Sequence, residues 1–181
     1  MTFDLTAHMN AMTRVVKNLE RDGKPAKAVL ASCIYETDAA DLWDALTNKE
    51  RLPRWFSSVS GDFELGGRFH VENNASGTIT ECVPNQKIAA TWEFGGGVSW
   101  ITVTLMPEGD KTRLELEHVA HVDPHWERFG PGAVGVGWDL GFMGLGRHIA
   151  EPSAAKPPEA DEGWFATAEA KNFIRGSSAV A

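Results

Sequence analysis

The 181-residue sequence lacks the signals that mark several large classes of protein. No apolar stretch near its N-terminus is long enough for a signal peptide or a membrane span, so we expect a cytoplasmic protein without a membrane partner. Its 17 Lys and Arg residues are scattered and outnumbered by 25 Asp and Glu, which argues against a nucleic-acid partner. The length fits one domain.

Catalytic and cofactor motifs are also missing. The sequence has no Gly-x-Ser-x-Gly elbow, Walker loop, CxxC pair or HExxH motif, and we predict no cofactor. Cysteine is scarce, with Cys33 and Cys82 both in predicted strands. Without an export signal, both are expected to be reduced and to pack as small buried side chains.

One glycine-rich stretch, residues 130–135 (GPGAVG), matches the dinucleotide-binding fingerprint letter by letter. Its context does not match, because no parallel βαβ unit surrounds it and Pro131 lacks an amide where phosphate needs a donor. We therefore predict a flexible loop that leads into a long helix. Its glycines would also suit a gate that opens the interior.

Three histidines near the end of the last predicted strand have the composition of a zinc site. His118, His121 and His125 surround Asp123, but residues three apart on a strand point to opposite faces. Pro124 forces a turn before His125, so the side chains are not expected to converge. We predict no metal site.

The N-terminal third of the sequence shows helical and then strand periodicity. Apolar residues three or four apart predict an amphipathic helix over residues 3–21, and period-two alternation predicts a first strand over residues 28–35. Thr37 or Asp38 can cap a short helix that ends near residue 46. A second capping box, with Thr47 at N-cap and Glu50 at N3, predicts another short helix.

Residues 63–121 alternate between strand patterns and turns, which is typical of an antiparallel sheet. The predicted strands are residues 63–65, 68–73, 78–83, 87–94, 99–106 and 112–121. Alternation gives the sheet one apolar face, which must be covered. The covering helix follows Gly137, and a last amphipathic helix spans about residues 158–174, including Trp164, Phe165 and Phe173, with Glu159, Asp161 and Glu162 at its start.

Several short segments, in this order and spacing, resemble those of the START-like or SRPBCC superfamily. They are LWDALT (42–47), LPRWF (52–56), GGRF (66–69), TW (91–92), TRLELEH (112–118) and GW (137–138). They are most similar to the branch homologous to the C-terminal domain of the heat-shock protein 90 ATPase activator. Where that family often has an arginine in the first strand, this sequence has Cys33.

The resemblance implies an α+β helix-grip fold. A curved antiparallel sheet of six to seven strands would wrap around a long C-terminal helix, with two short helices after strand one and an extra N-terminal helix. We divide the chain into an N-terminal helical extension (residues 1–25), the START-like domain (26–150) and a C-terminal helical extension packed on the same domain (151–181).

The fold usually encloses a ligand cavity, so we predict a protein that binds or sequesters a hydrophobic or aromatic small molecule. The predicted ligand-binding residues are Trp55, Phe69, Trp92, Phe94, Ile101, Val103, Leu116, His118, Trp138 and Phe142. The aromatic side chains also suit an ordinary filled core. The alternative functions are a cyclase or dehydratase-type enzyme and a chaperone-activator-like protein-interaction module. The sequence does not determine the oligomeric state, and a homodimer is one of the alternatives.

Two polar side chains are candidates for catalysis. If His118 and Glu81 both face the cavity, they can act as a general acid and base or orient a polar end of a ligand. Strand parity places His118 on the apolar face, whereas Pro84 and a bulge leave the direction of Glu81 open. A single histidine on an apolar face is more often a hydrogen-bonded structural residue.

Overall fold

The computed structural model describes residues 3–154 and 166–179, which form five helices and eight strands. The elements are α1 (Leu5–Ala11), β1 (Thr13–Arg21), β2 (Lys24–Tyr35), α2 (Ala39–Thr47), α3 (Leu52–Trp55), β3 (Val59–Gly61), β4 (Arg68–Val71), β5 (Ser76–Val83), β6 (Lys87–Phe94), β7 (Gly97–Glu108), β8 (Lys111–His121), α4 (Pro124–Ala150) and α5 (Ala168–Ala179). No described helix is long and apolar enough to cross a membrane.

A single antiparallel sheet in the order β1-β2-β8-β7-β6-β5-β4-β3 carries the fold. Apolar side chains alternate along its central strands, and Leu105, Leu114 and Leu116 lie on its inner face with 3% or less of their surface exposed. Phe142 and Leu145 of α4 join them in one core cluster. The curved antiparallel sheet packs around the long helix α4, which confirms the predicted α+β helix-grip fold. The sheet has eight strands, whereas six to seven were predicted.

The helix predicted over residues 3–21 is wrong beyond residue 11. Residues 13–21 form β1, an edge strand paired antiparallel with β2. A two-residue turn joins the strands, with Asp22 and Gly23 at φ 52° and 72°, the left-handed region that tight hairpins need. Because β1 is only half-buried, the alternation of apolar and polar residues along it is weak. Its few apolar residues happen to lie three or four apart, which is the spacing of a helix.

The two short helices after β2 are confirmed, but only one of the predicted caps is. Asp38 caps α2 by accepting from the amide of Asp41 at 2.9 Å. Thr47 instead donates back to the carbonyl of Trp43, inside α2, and α3 begins at Leu52 without a side-chain cap. The capping box is therefore wrong, because the Thr47 hydroxyl finds an acceptor in its own helix.

Two further boundaries differ from the sequence prediction. The first short strand of the meander lies at Val59–Gly61, not at residues 63–65, and pairs with β4. The glycine-rich stretch 130–135 is not a loop, because α4 starts at Pro124 and runs through it. Asp123 caps that helix by accepting from the amide of Trp126 at 2.7 Å, and proline is well suited to the first helical position. The gate proposed from the sequence needed a flexible loop at residues 130–135, and these residues are helical instead.

Helices α1 and α5 pack against α4, and α1 also contacts β2 through His8 and Tyr35. Met143, Ala170 and Phe173 are almost fully buried there, and Leu5 and Met9 of α1 pack against them. Trp164, Phe165 and the acidic residues Glu159, Asp161 and Glu162 lie outside the described residues, as does the start of the last predicted helix. Another face of α4, with Phe142 and Leu145, is directed at the sheet.

Candidate functional site

A cavity of about 150 Å³ lies between the sheet, the short helices and the inner face of α4. Its described walls come from strands β3 to β8 and from helices α2, α3 and α4. The lining residues are Leu46, Leu52, Trp55, Phe56, Val59, Phe63, Phe69, Val71, Ile79, Ile88, Ala90, Trp92, Ile101, Val103, Leu114, Leu116, Trp138, Gly141, Phe142 and Leu145.

All but two of the residues predicted to bind a ligand line this cavity. The structure brings together Trp55, Phe69, Trp92, Ile101, Val103, Leu116, Trp138 and Phe142. The other twelve described lining residues were not predicted. Three of them, Leu46, Leu52 and Phe56, lie on or directly after the short helices, whose apolar faces were a usable signal. Their arrangement supports a binding site, and the binding itself stays a prediction.

Phe94 does not line the cavity, which corrects the prediction made from strand parity. It shares the parity of Ile88, Ala90 and Trp92 but pairs with Gly97 across the tip of the β6–β7 hairpin. Its side chain is 63% exposed there. Alternation determines which face a side chain points to, but it does not determine whether that part of the face is covered.

His118 lies behind the cavity wall, not on its surface. Its Nδ1 accepts a hydrogen bond from Nε1 of Trp138 at 2.9 Å, so Nε2 carries the proton and donates to Oγ of Ser99 at 2.7 Å. Ser99 in turn donates to the carbonyl of Trp92 at 3.1 Å. Burial lowers the pKa of His118 to about 4, because the charged imidazolium would lose its hydration.

Glu81 is at the surface and does not meet His118. It follows a register shift in β5 between Ile79 and Glu81, and its carboxylate pairs with Nζ of Lys87 at 2.8 Å. Its side chain is 46% exposed. The structure therefore does not form the acid and base pair considered for catalysis.

The lining side chains offer a guest aromatic rings and almost no polar atoms. Ring centroids are 6.1 Å apart for Phe69 and Trp92, and 5.3 Å apart for Trp92 and Trp138. The indole N–H of Trp138 is already bonded to His118, and that of Trp55 donates to the carbonyl of Ala45 at 3.0 Å. None of the described lining residues is charged. Such a wall selects apolar and aromatic surface.

Close contacts fix the short helices against α4. A Cβ at Gly144 would lie 2.4 Å from the carbonyl oxygen of Trp55, so the missing side chain lets α3 approach α4. On the same side, Nε of Arg51 donates to Nε2 of the buried His148 at 3.1 Å, and its Nη1 contacts Asp41 at 2.8 Å. These contacts hold Trp55 in the cavity wall.

The remaining candidate metal and thiol residues do not gather at the cavity. His121 bonds the carbonyl of Arg21 through Nε2 at 3.0 Å and lies edge-on to Trp100, away from the contacts of His118. The side chain of His125 lies outside the described part of the structure. Within that part, no three His, Cys, Asp or Glu side chains form a group able to hold a metal. Cys33 and Cys82 are both thiols.

A family model and two curated relatives indicate the same family. The family described as Activator of Hsp90 ATPase homolog 1-like protein matches residues 36–149. Two curated relatives are the Activator of 90 kDa heat shock protein ATPase homolog 1 of Homo sapiens, 31% identical over 52% of this chain and 30% of the relative, and of Mus musculus, 26% identical over 58% and 35%. The chain thus spans about a third of their length.

A solved structure extends the likeness to nearly the whole chain. CalU16 from Micromonospora echinospora superposes with a TM-score of 0.75 at 26% sequence identity. The alignment covers 93% of this chain and 94% of CalU16, so it includes elements outside the matched family region.

Proposed function

The chain belongs to the family of Activator of Hsp90 ATPase homolog 1-like proteins, within the START-like superfamily, and on that premise we propose that it binds an uncharged aromatic or other apolar small molecule. The cavity is the observation that carries this proposal. All of its described walls are apolar, and rings of Phe69, Trp92 and Trp138 follow one another along it.

The size and the apolar lining of the cavity narrow the class of guest. A cavity of about 150 Å³ with walls of this kind stays empty of water in an engineered protein and accepts benzene. The cavity described here has the same volume. Since a charged group would lose its hydration without finding a partner, we expect a neutral guest of one or two rings.

Binding fits the geometry better than a cyclase or dehydratase reaction does. Such reactions need a group that holds or moves a proton at the substrate. His118 is shielded by Trp138 and uses both ring nitrogens in hydrogen bonds, while Glu81 pairs with Lys87 at the surface. The described lining residues supply no other acid or base.

A protein-interaction function is the second candidate, favoured by the curated relatives. Both are named as activators of the 90 kDa heat shock protein ATPase, although the chain spans only about a third of each. Exposed apolar side chains on the surface, such as Leu65 at 70% and Phe94 at 63%, would suit contact with a protein. A cavity that takes no guest would favour this candidate.

Titration with benzene and naphthalene tests the binding proposal. Calorimetry should show one saturable site, and the methyl NMR signals of lining residues such as Ile101 and Leu116 should shift. The variant Phe94→Ser is the matched control, because it removes an exposed aromatic ring that does not line the cavity and should leave binding unchanged. Native mass spectrometry of freshly purified protein adds a search for a retained guest. Absence of saturable binding would contradict the proposal.

A further inference from the structure

The inner face of α4 contributes four residues to the cavity, and one of them has no side chain. Trp138, Gly141, Phe142 and Leu145 follow the three-and-four spacing of one helical face. Three carry large apolar groups that reach toward the sheet. Gly141 leaves the helix backbone uncovered between them.

Packing does not account for this glycine as it does for two others on α4. A Cβ at Gly144 would lie 2.4 Å from the carbonyl oxygen of Trp55, and one at Gly146 would lie 2.8 Å from the ring of Phe3. A Cβ at Gly141 would meet no heavy atom within 4 Å. The protein's own described atoms therefore leave room for a larger residue.

Glycine also weakens the helix at this position. Inside a helix it is the least favourable residue after proline, because the unfolded chain loses more conformational freedom there. Alanine would stabilise α4 and would fit without a clash. No contact among the described residues explains this loss of helix stability at Gly141. Gly135 and Gly137 also meet no atom within 4 Å, but of these three glycines only Gly141 lines the cavity.

We infer that Gly141 is the specificity-determining residue of the cavity, because its missing side chain leaves the space in which a flat ring lies against the α4 backbone. This inference rests on the proposed function. It assigns the guest's class more narrowly, to planar neutral molecules whose width is limited at Gly141. The rings and aliphatic side chains of the sheet, such as Trp92 and Val103, form the opposite wall.

Size-graded variants test this assignment. Gly141→Ala adds one methyl group to the cavity, and Gly141→Leu fills more of it. Gly137→Ala and Gly137→Leu are matched controls, since Gly137 lies one turn earlier on α4, is exposed, and does not line the cavity. The controls reproduce the change in helix propensity without changing the cavity. Circular dichroism and the melting temperature of each variant establish that it is folded.

Benzene and naphthalene, titrated by calorimetry, are the probes. Gly141→Ala should weaken naphthalene binding by about tenfold or more while benzene binding changes by less than about threefold, since one misplaced methyl group is enough to discriminate between guests. Gly141→Leu should bind neither probe, and both Gly137 variants should bind as the wild type does. Wild-type affinity for naphthalene in a folded Gly141→Ala variant would overturn the inference. A wild-type protein that binds neither probe would overturn the proposed function itself.

Discussion

The indole N–H of Trp138 donates a hydrogen bond of 2.9 Å to Nδ1 of His118. The same two rings lie edge to face, with centroids 5.7 Å apart. Because Nδ1 is an acceptor, the imidazole is neutral and carries its proton on Nε2. Nε2 donates to Oγ of Ser99, and Ser99 donates to the carbonyl of Trp92. A histidine that looked like a catalytic candidate in the sequence thus positions an aromatic wall of the cavity.

Replacing Trp138 by Phe should raise the pKa of His118 above about 4 but not to its ordinary value, because the phenyl ring keeps the imidazole buried and burial is what lowers its pKa. The substitution removes the donor that stabilises the neutral imidazole and leaves a buried acceptor unpaired, at a cost of about 1–3 kcal/mol in stability. NMR titration of the imidazole signals measures the shift. Trp55→Phe is the matched control, because it also removes an indole N–H from the cavity wall but has no hydrogen bond to His118. An unchanged pKa in Trp138→Phe would contradict this account.

Stability should fall as the pH drops from about 6.5 to about 4. Burial lowers the pKa of His118 and of His8 to about 4 in the folded protein, whereas both would titrate near 6.5 when unfolded. Below pH 6.5 the unfolded state therefore binds protons that the folded state does not, and His118 alone accounts for up to about 3 kcal/mol of the loss. Urea unfolding across this range measures the slope, which His118→Gln should reduce. A slope that is the same in both proteins would argue against the assignment.

Removing the carboxylate of Asp139 should destabilise the protein strongly. Asp139 on α4 forms an ion pair with Arg14 on β1, and their side chains are only 1% and 9% exposed. Asp139→Leu leaves the guanidinium buried without this partner, which typically costs about 3–5 kcal/mol, and the double variant with Arg14→Leu should recover much of it. Glu36→Gln, which breaks the exposed pair with Lys111, should change stability far less, because water screens that pair. Chemical denaturation compares the variants, and an Asp139→Leu effect as small as that of the control would refute the prediction.

Alanine at two glycines of α4 should have opposite effects on the melting temperature. Gly141→Ala should stabilise the fold by up to about 1 kcal/mol, since alanine favours the helix and its Cβ meets no atom within 4 Å. Gly144→Ala should destabilise it, because the Cβ would lie 2.4 Å from the backbone oxygen of Trp55 and would push α3 away. Differential scanning calorimetry compares the two. Equal stabilisation by both variants would show that α3 does not approach α4 this closely.

Strand alternation and the family resemblance were enough to predict the fold and eight of the twenty described residues that line the cavity. Ile101, Val103 and Leu116 were correctly placed on the inner face because period-two patterns on well-covered strands translate directly into burial. The same reasoning failed for residues 13–21, where an exposed edge strand blurs the alternation. The loop predicted over residues 130–135 was also wrong, because the N-cap Asp123 and Pro124 at the first helical position start a helix that runs through its glycines.

The sequence by itself determined the α+β class, the family, the apolar face of the sheet and the absence of known catalytic motifs, because each follows from local residue order. Only the tertiary structure decided that Phe94 lies outside the cavity, that His118 is hydrogen-bonded behind Trp138, and that Glu81 pairs with Lys87. It also decided that Gly141 faces open space while Gly144 touches α3. These outcomes depend on which elements, distant in the sequence, pack against a given side chain. Local periodicity does not contain that information.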